Sequence, residues 1–489
     1  MIASAPVASQ FVLDRPLHPW LKTMRVAYLP GPSTSVAVDV AHGIMQQLSE
    51  LGHLAQERPT DETDVVLTTA RFGEARSWRT APAFQLRREF GLTRTPQFWT
   101  VVHARPEELA AALSHFKRAL AKDPIDLKDF EFPGLAPTAY RPLVEQGRRG
   151  GPILSVERLM QAQALCLWIL LVVGDEQPEY AYHFNLVGSY AQSDARSDGF
   201  YDDIILRMVT SMSADEVAKY AVESPSIPAR TWERLATPQA MQRASLEFGG
   251  RDFFTEMVRI ADLVSVPAMT DAVASQYSEG CFGTWEPAID ALIATTTGSA
   301  RPVDKGHLTL DDLAVVTGVQ TSGRGVVVRH VDGLRNDPPS SEGFEMIDLD
   351  GSLPKIALDP AWGVAGRVPV VRSKLHTHRG VAAFDPRFVE YVPLSPVYFE
   401  LPVTCGTFAQ AQGVRAVFAQ AQCLLDPDDP RQVAFTILPT HGVFIVEKWV
   451  HGKAPFQVIW EHMDAGLLQI DRIVPQGPAP FFPRHVRGG

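Results

Sequence analysis

The sequence predicts a mixed α/β protein, with two doubly wound α/β domains followed by a β-rich, antiparallel, barrel-like C-terminal domain. Three observations carry this expectation. At 489 residues the chain exceeds one ordinary core, and a prior of roughly 150 residues per domain gives about three. Strand-like and helix-like apolar patterns alternate through the first part. After Asp304 short strand-like runs replace the helices.

The elements follow in order. RVAYL (Arg25–Leu29) reads as a buried strand. From Ser35 to Leu51, Val36, Val40, Ile44, Leu48 and Leu51 recur at helical spacing, and Gly52 supplies a stop. DVVLTTA (Asp64–Ala70) and FWTVVHA (Phe98–Ala104) are further strands, and Pro106-Glu107 opens a helix running to about Leu120. The Pro-, Gly- and charge-rich stretch from Ala121 to Gly151 reads as a domain boundary or surface crossover. A second α/β part then starts near Ile153, with LWILLVV (Leu167–Val173) as a strand. Helices are expected over Asp203–Tyr220, Thr231–Phe248 and Asp252–Val264. The β-rich part is expected from LAVVTGV, GVVVRHV, FEMIDL, VPVVRSKL, RAVFAQAQ, VAFTIL, VFIVEKWV and FQVIWEH. These readings give domains of 1–150, 151–305 and 306–489.

Bulk properties exclude several classes. Acidic residues outnumber basic ones, 56 to 45, for a formal charge of −11. No strong basic patch stands out, so a nucleic-acid partner is not expected. The most apolar segment, Ala164–Val173, is shorter than the roughly 20 residues of a membrane-spanning helix. Met1–Trp20 lacks a basic region followed by a long apolar one, so no secretory signal is expected. Cys166, Cys281, Cys405 and Cys423 are far apart and form no CxxC pair. Reduced thiols in a cytoplasm are the simplest account.

Chemistry is suggested first by Glu279–Asp304, EGCFGTWEPAIDALIATTTGSARPVD. A helix is expected from Trp285 to Ile293, stopped by Thr297-Gly298, with Glu279 and Asp304 at its two ends. Two carboxylates so held suit a metal site or an acid–base pair, and equally an ordinary helix with acidic flanks. Thr440-His441-Gly442 joins two apolar strands, where an imidazole can point into a cleft. One imidazole with two carboxylates makes a mixed N/O set suited to Mn²⁺ or another divalent cation.

In RSKLHTHR, His376 and His378 alternate as same-face residues of a strand. Lys374 and Arg379 beside them favour contact with an anion or with sugar hydroxyls. A metal-dependent hydrolase using the two histidines would need further ligands downstream, which the sequence does not supply. Trp285, with Tyr277, Phe282 and Trp449, offers rings that pack on sugars or simply fill a core. The loop PGPSTS (Pro30–Ser35) leads from the first strand into the first helix, where it can hold a phosphate or carboxylate, or only cap the helix.

The domain order, the chain length and the set Glu279, Thr297-Gly298, Asp304 and His441 resemble the L-fucose isomerase and L-arabinose isomerase superfamily. DDLAVVTG (Asp311–Gly318) occupies the place of a strand found there in that family. The resemblance implies that Asp304 and His441 are metal ligands and that Glu279 is both ligand and proton acceptor, with Glu279 and Asp304 catalytic. It implies Mn²⁺ or a similar ion, which polarises the carbonyl of an open-chain sugar so that aldose and ketose interconvert through an enediol. Lys374, His376, His378, Arg379 and Trp285 would then contact a sugar or sugar phosphate, in a homo-oligomer. Gly280-Cys281-Phe282 departs from the family's continuation after the glutamate. That departure leaves open a carbohydrate-binding member of the same fold with no reaction or a different one.

Overall fold

A computed structural model describes residues 23–76, 89–92, 96–133, 135, 137–166, 168–184, 191–212, 219–251, 253–254, 280–297, 303–321, 325–340, 347–349, 351–358, 366–393, 408–438 and 442–471. The protein is mixed α/β, and the described residues fall into two compact units. One comprises those up to 212, the other those from 219 to 254 and from 280 onward. Among the described residues no helix is long and apolar enough to cross a membrane.

The first unit is built on a seven-stranded sheet. Its strands are β1 (Arg25–Leu29), β2 (Leu54–Gln56), β3 (Val65–Arg71), β4 (Gln97–Ala104), β5 (Trp168–Val173), β6 (Tyr180–Phe184) and β7 (Ala191–Asp194). Their order is β2-β1-β3-β4-β5-β6-β7. The five strands from β2 to β5 run parallel, and β6 and β7 are antiparallel additions. Successive residues of a strand face opposite sides, and here both sides are apolar. Val65, Leu67, Val101 and Val172 pack with α1 (Ser35–Glu50). Val66, Phe98, Val102 and Leu171 pack with α2 (Pro106–Leu120), α3 (Pro137–Gly150) and α4 (Pro152–Ala164). Ile204, Ile205 and Met208 of α5 (Phe200–Met212) join the α1 side. Helices thus cover both faces of a mostly parallel sheet, as the β-α-β rhythm predicts.

Where the sequence suggests a boundary, over Ala121–Gly151, the structure places α3. Ala139, Tyr140, Leu143 and Val144 are buried at helical spacing, and they outweigh the loop-like composition around them. β4 pairs directly with β5 across this stretch. The segment expected as a second domain, 151–305, therefore contributes β5–β7 to the first sheet and its later strands to the second.

The second unit contains β8 (Lys219–Ile227), α6 (Thr237–Gly250), β9 (Cys281–Glu286), β10 (Ala291–Thr295), β11 (Leu313–Val319) and β12 (Gly325–Val331). Next come the pair β13 (Lys355–Ala357) and β14 (Arg367–Pro369), then β15 (Val371–Thr377), β16 (Gly380–Phe384) and β17 (Val389–Tyr391). It ends with α7 (Phe408–Phe418), β18 (Val433–Leu438), β19 (Gly442–Lys448), α8 (Gln457–Asp464) and β20 (Leu468–Asp471). Nine strands form one sheet, β17-β18-β19-β15-β9-β10-β11-β12-β8, with β17 and β8 at its open edges. Only its two outermost pairs, β17–β18 and β12–β8, are parallel.

Expectations for four segments of this unit are corrected. Trp285–Ile293 is not a helix: β9 and β10 form an antiparallel hairpin, with Trp285 opposite Leu292. Both strands are buried on both faces, so apolar spacing alone does not separate strand from helix here. Local chemistry makes the turn, with the Glu286 carboxylate accepting from Ala288 N at 2.9 Å and Asp290 adopting a left-handed φ of 49°. RAVFAQAQ and FQVIWEH lie largely on α7 and α8 rather than on strands. Val414, Val417 and Phe418, and likewise Val458, Ile459 and His462, turn one helical face inward. In FEMIDL, Ile347–Leu349 form a turn and 344–346 lie outside the described residues.

Candidate functional site

The segments expected to carry the site meet at the carboxyl end of β15. β15 lies between β9 and β19, with His376 opposite both Cys281 and Phe444. Gly280, which follows Glu279, has φ 80°, and a Cβ there would collide with the His376 carbonyl oxygen. Lys305, which follows Asp304, is buried and donates its Nζ to the Gly280 carbonyl. Gly442, which follows His441, packs against β15 so closely that a Cβ would lie 2.9 Å from the His378 Cα. Residues distant in sequence are thus tied to one strand end by close backbone approaches and one side-chain bond.

Of the expected ligands, Glu279 and His441 lie outside the described residues. Asp304 is described, and its side chain is 56% exposed. Its Oδ1 accepts from Gly306 N at 2.8 Å, closing an Asx turn, and its Oδ2 lies 3.1 Å from His307 Nδ1. A carboxylate oxygen offers more than one acceptor site, so these bonds are compatible with a metal ligand's role. Among the described residues no three His, Cys, Asp or Glu side chains gather as a metal-binding group.

The expected contact residues are mostly interior. From Arg372 to Arg379 only His378 is partly exposed. Lys374 Nζ donates to the Ile347 carbonyl. His376 is fully buried, with its ring stacked on Phe444 at 4.1 Å and its Nδ1 3.1 Å from the Val443 carbonyl. The His378 ring meets the His376 ring edge-on at 5.0 Å. Thr377 Oγ1 donates to the Phe253 carbonyl at 2.5 Å. Trp285 shares the His376 face of the sheet but packs among Leu292, Val316 and Val368 rather than lining an opening. The RSKLHTHR run, expected as an anion or sugar-hydroxyl contact surface, thus lies on a central strand that its neighbours largely cover.

Sequence reasoning missed Lys305 and Glu447. Lys305 stands next to Asp304, and nothing local marks it as buried. Glu447, on β19, pairs with Ser373 of β15 and lies on the face of the sheet opposite His376. It is fully buried and accepts from Phe456 N at 2.5 Å and Ile459 N at 3.2 Å, so a strand carboxylate caps the start of α8. Burial pushes its pKa up to about 7, while the bonds from Ser373 and the backbone act in the opposite direction. Cys281, Cys166 and Cys423 are buried free thiols.

In comparison with known proteins, no family model, no curated protein and no solved structure matches this chain.

Proposed function

We propose that this protein handles an open-chain sugar or sugar phosphate at the carboxyl end of β15, as a metal-dependent aldose–ketose isomerase. The observation that supports the reading is the convergence there of Gly280, Lys305 and Gly442, the described neighbours of Glu279, Asp304 and His441. The sequence resemblance assigns those three residues a shared ion, and the domain arrangement expected with it belongs to the same reading. A divalent cation such as Mn²⁺, when bound, supplies polarisation of the substrate carbonyl and hydroxyl. Glu279, Asp304 and His441 would hold it, with Glu279 moving the proton between C2 and C1. His378, the partly exposed member of its run, donates to a substrate hydroxyl, and Arg379 and Lys305 favour a substrate bearing negative charge. A cytoplasmic homo-oligomer fits this reading.

Asp304→Asn tests it cleanly, because an asparagine Oδ1 can still accept from Gly306 N and keep the turn. The expected result is a folded variant that loses Mn²⁺ in elemental analysis and loses turnover. Full metal occupancy in that variant would refute the ligand assignment.

A second reading is favoured by Asp304 being exposed and already committed to its turn. Here the protein binds a sugar phosphate without metal. Calorimetry with a pentose 5-phosphate, run with and without EDTA, separates the two. Binding that EDTA leaves unchanged favours the second reading, and binding abolished by EDTA favours the first.

A further inference from the structure

The first unit carries a separate feature that the sugar reading leaves unused. Its strand order β2-β1-β3 makes the chain leave β1 on one side and return on the other. In doubly wound sheets the crevice outside the carboxyl ends of such strands is where ligands bind. Here the loop Pro30–Thr34 and the start of α1 lie beyond β1.

That helix start is rigidly held. Thr34 Oγ1 accepts from Ala37 N at 3.3 Å and lies 2.8 Å from His103 Nδ1. His103 Nε2 lies 2.8 Å from the Gly174 carbonyl, which can only accept. Nε2 therefore carries hydrogen, and in the neutral ring Nδ1 accepts from the Thr34 hydroxyl. The first turn of α1 contains no acidic residue of its own to offset the positive end of its dipole.

A guanidinium stands beside this loop. Arg76 donates through Nη2 to Thr68 Oγ1 at 3.1 Å and to the Thr69 carbonyl, and a Cβ at Gly31 would collide with it. Arg76 Nε is buried without a partner. Burial pushes the Arg76 pKa down, while Cys166, whose own thiol is pushed up by burial, acts in the opposite direction. Among the described residues no carboxylate pairs with the guanidinium. Beside it Gln163, only 2% exposed, accepts Arg76 N on its carbonyl at 2.8 Å. Both side-chain polar atoms of Gln163 are buried and unpartnered. A half-buried guanidinium with no anion beside it among the described residues and an unsatisfied buried amide are each costly.

We propose that this crevice binds a phosphoryl group, held by Arg76 and the amino end of α1. A tetrahedral dianion can meet a guanidinium fork and free helix N–H groups together, which a planar carboxylate does less well. It would also supply the counter-charge that Arg76 lacks.

The test uses the full chain in phosphate-free buffer, with inorganic phosphate as probe and acetate at equal concentration as control. Calorimetry and thermal unfolding should show saturable phosphate binding that raises the unfolding midpoint, and no effect of acetate. Arg76→Met should weaken phosphate binding at least about tenfold. Its unfolding midpoint without phosphate should equal or exceed that of the wild type, because an uncompensated charge is gone. Ser35→Glu, at an exposed position, should stay folded and lose phosphate binding through repulsion in the first turn. The proposal is overturned if the wild type does not bind phosphate, if acetate binds as well, or if both variants bind phosphate like the wild type. A lowered midpoint in Arg76→Met with undiminished phosphate binding would equally overturn it, leaving Arg76 a structural donor.

Discussion

Gly280 shows how much one residue constrains the end of β15. Its φ of 80° suits glycine, and its close approach to the His376 carbonyl leaves no room for a methyl group. Gly280→Ala is therefore expected to destabilise the second unit by about 1–3 kcal/mol, measured by chemical denaturation. It should also displace the Lys305 bond and weaken sugar-phosphate binding; wild-type stability in this variant would show that the strand end tolerates a shift. Asp304 teaches a different lesson. Its residue type suggests a ligand, and its turn with Gly306 and His307 was not legible, because an Asx turn and a metal site ask for the same carboxylate. His376 likewise read as a contact residue. Only its stacking on Phe444, from a strand 67 residues on by the spacing of its bonded partner Val443, makes it part of the interior.

At the scale of elements, α8 depends on Glu447 of β19. The carboxylate accepts two N–H groups at the helix start, yet burial holds its pKa up to about 7 against an ordinary 4.5. The folded protein thus retains a proton there that the unfolded chain gives up. The stabilising contribution is fully present below about pH 4.5 and is lost as pH rises through about 7. Unfolding free energy measured from pH 5 to 8 should fall more steeply in the wild type than in Glu447→Gln; equal slopes would disprove this titration. The β9–β10 hairpin is the element the sequence misrepresents most. Cys281–Glu286 and Ala291–Thr295 are covered on both faces, which erases the alternation that marks a strand. The elements of the first unit were legible because α1 and α2 keep one polar face and β1, β3 and β4 are short apolar runs between turn residues.

For the whole molecule, the described residues form two compact units with their own apolar cores. Such a chain should not unfold in one cooperative step. Scanning calorimetry is expected to give a calorimetric enthalpy clearly larger than the van 't Hoff enthalpy, and equality of the two would argue for a single cooperative unit. The phosphoryl crevice and the β15 strand end belong to different units, so hydrogen exchange can address them separately. Phosphate should slow exchange in 31–37, the loop and first turn of α1.

The sequence by itself determined the mixed α/β class, the strand–helix rhythm from Arg25 to Leu120 and the loop that opens α1. These follow from local periodicity and turn chemistry, which need no distant partner. Tertiary structure decided that Trp285–Ile293 is a hairpin, that β15 is a central buried strand, and that Gly280, Lys305 and Gly442 meet at its end. It also decided that Arg76 is half-buried, with its Nε enclosed and no carboxylate paired to it among the described residues. Each of these depends on which strands pair and what covers them. Pairing joins residues far apart in the chain, and burial sets the cost of every charge placed there.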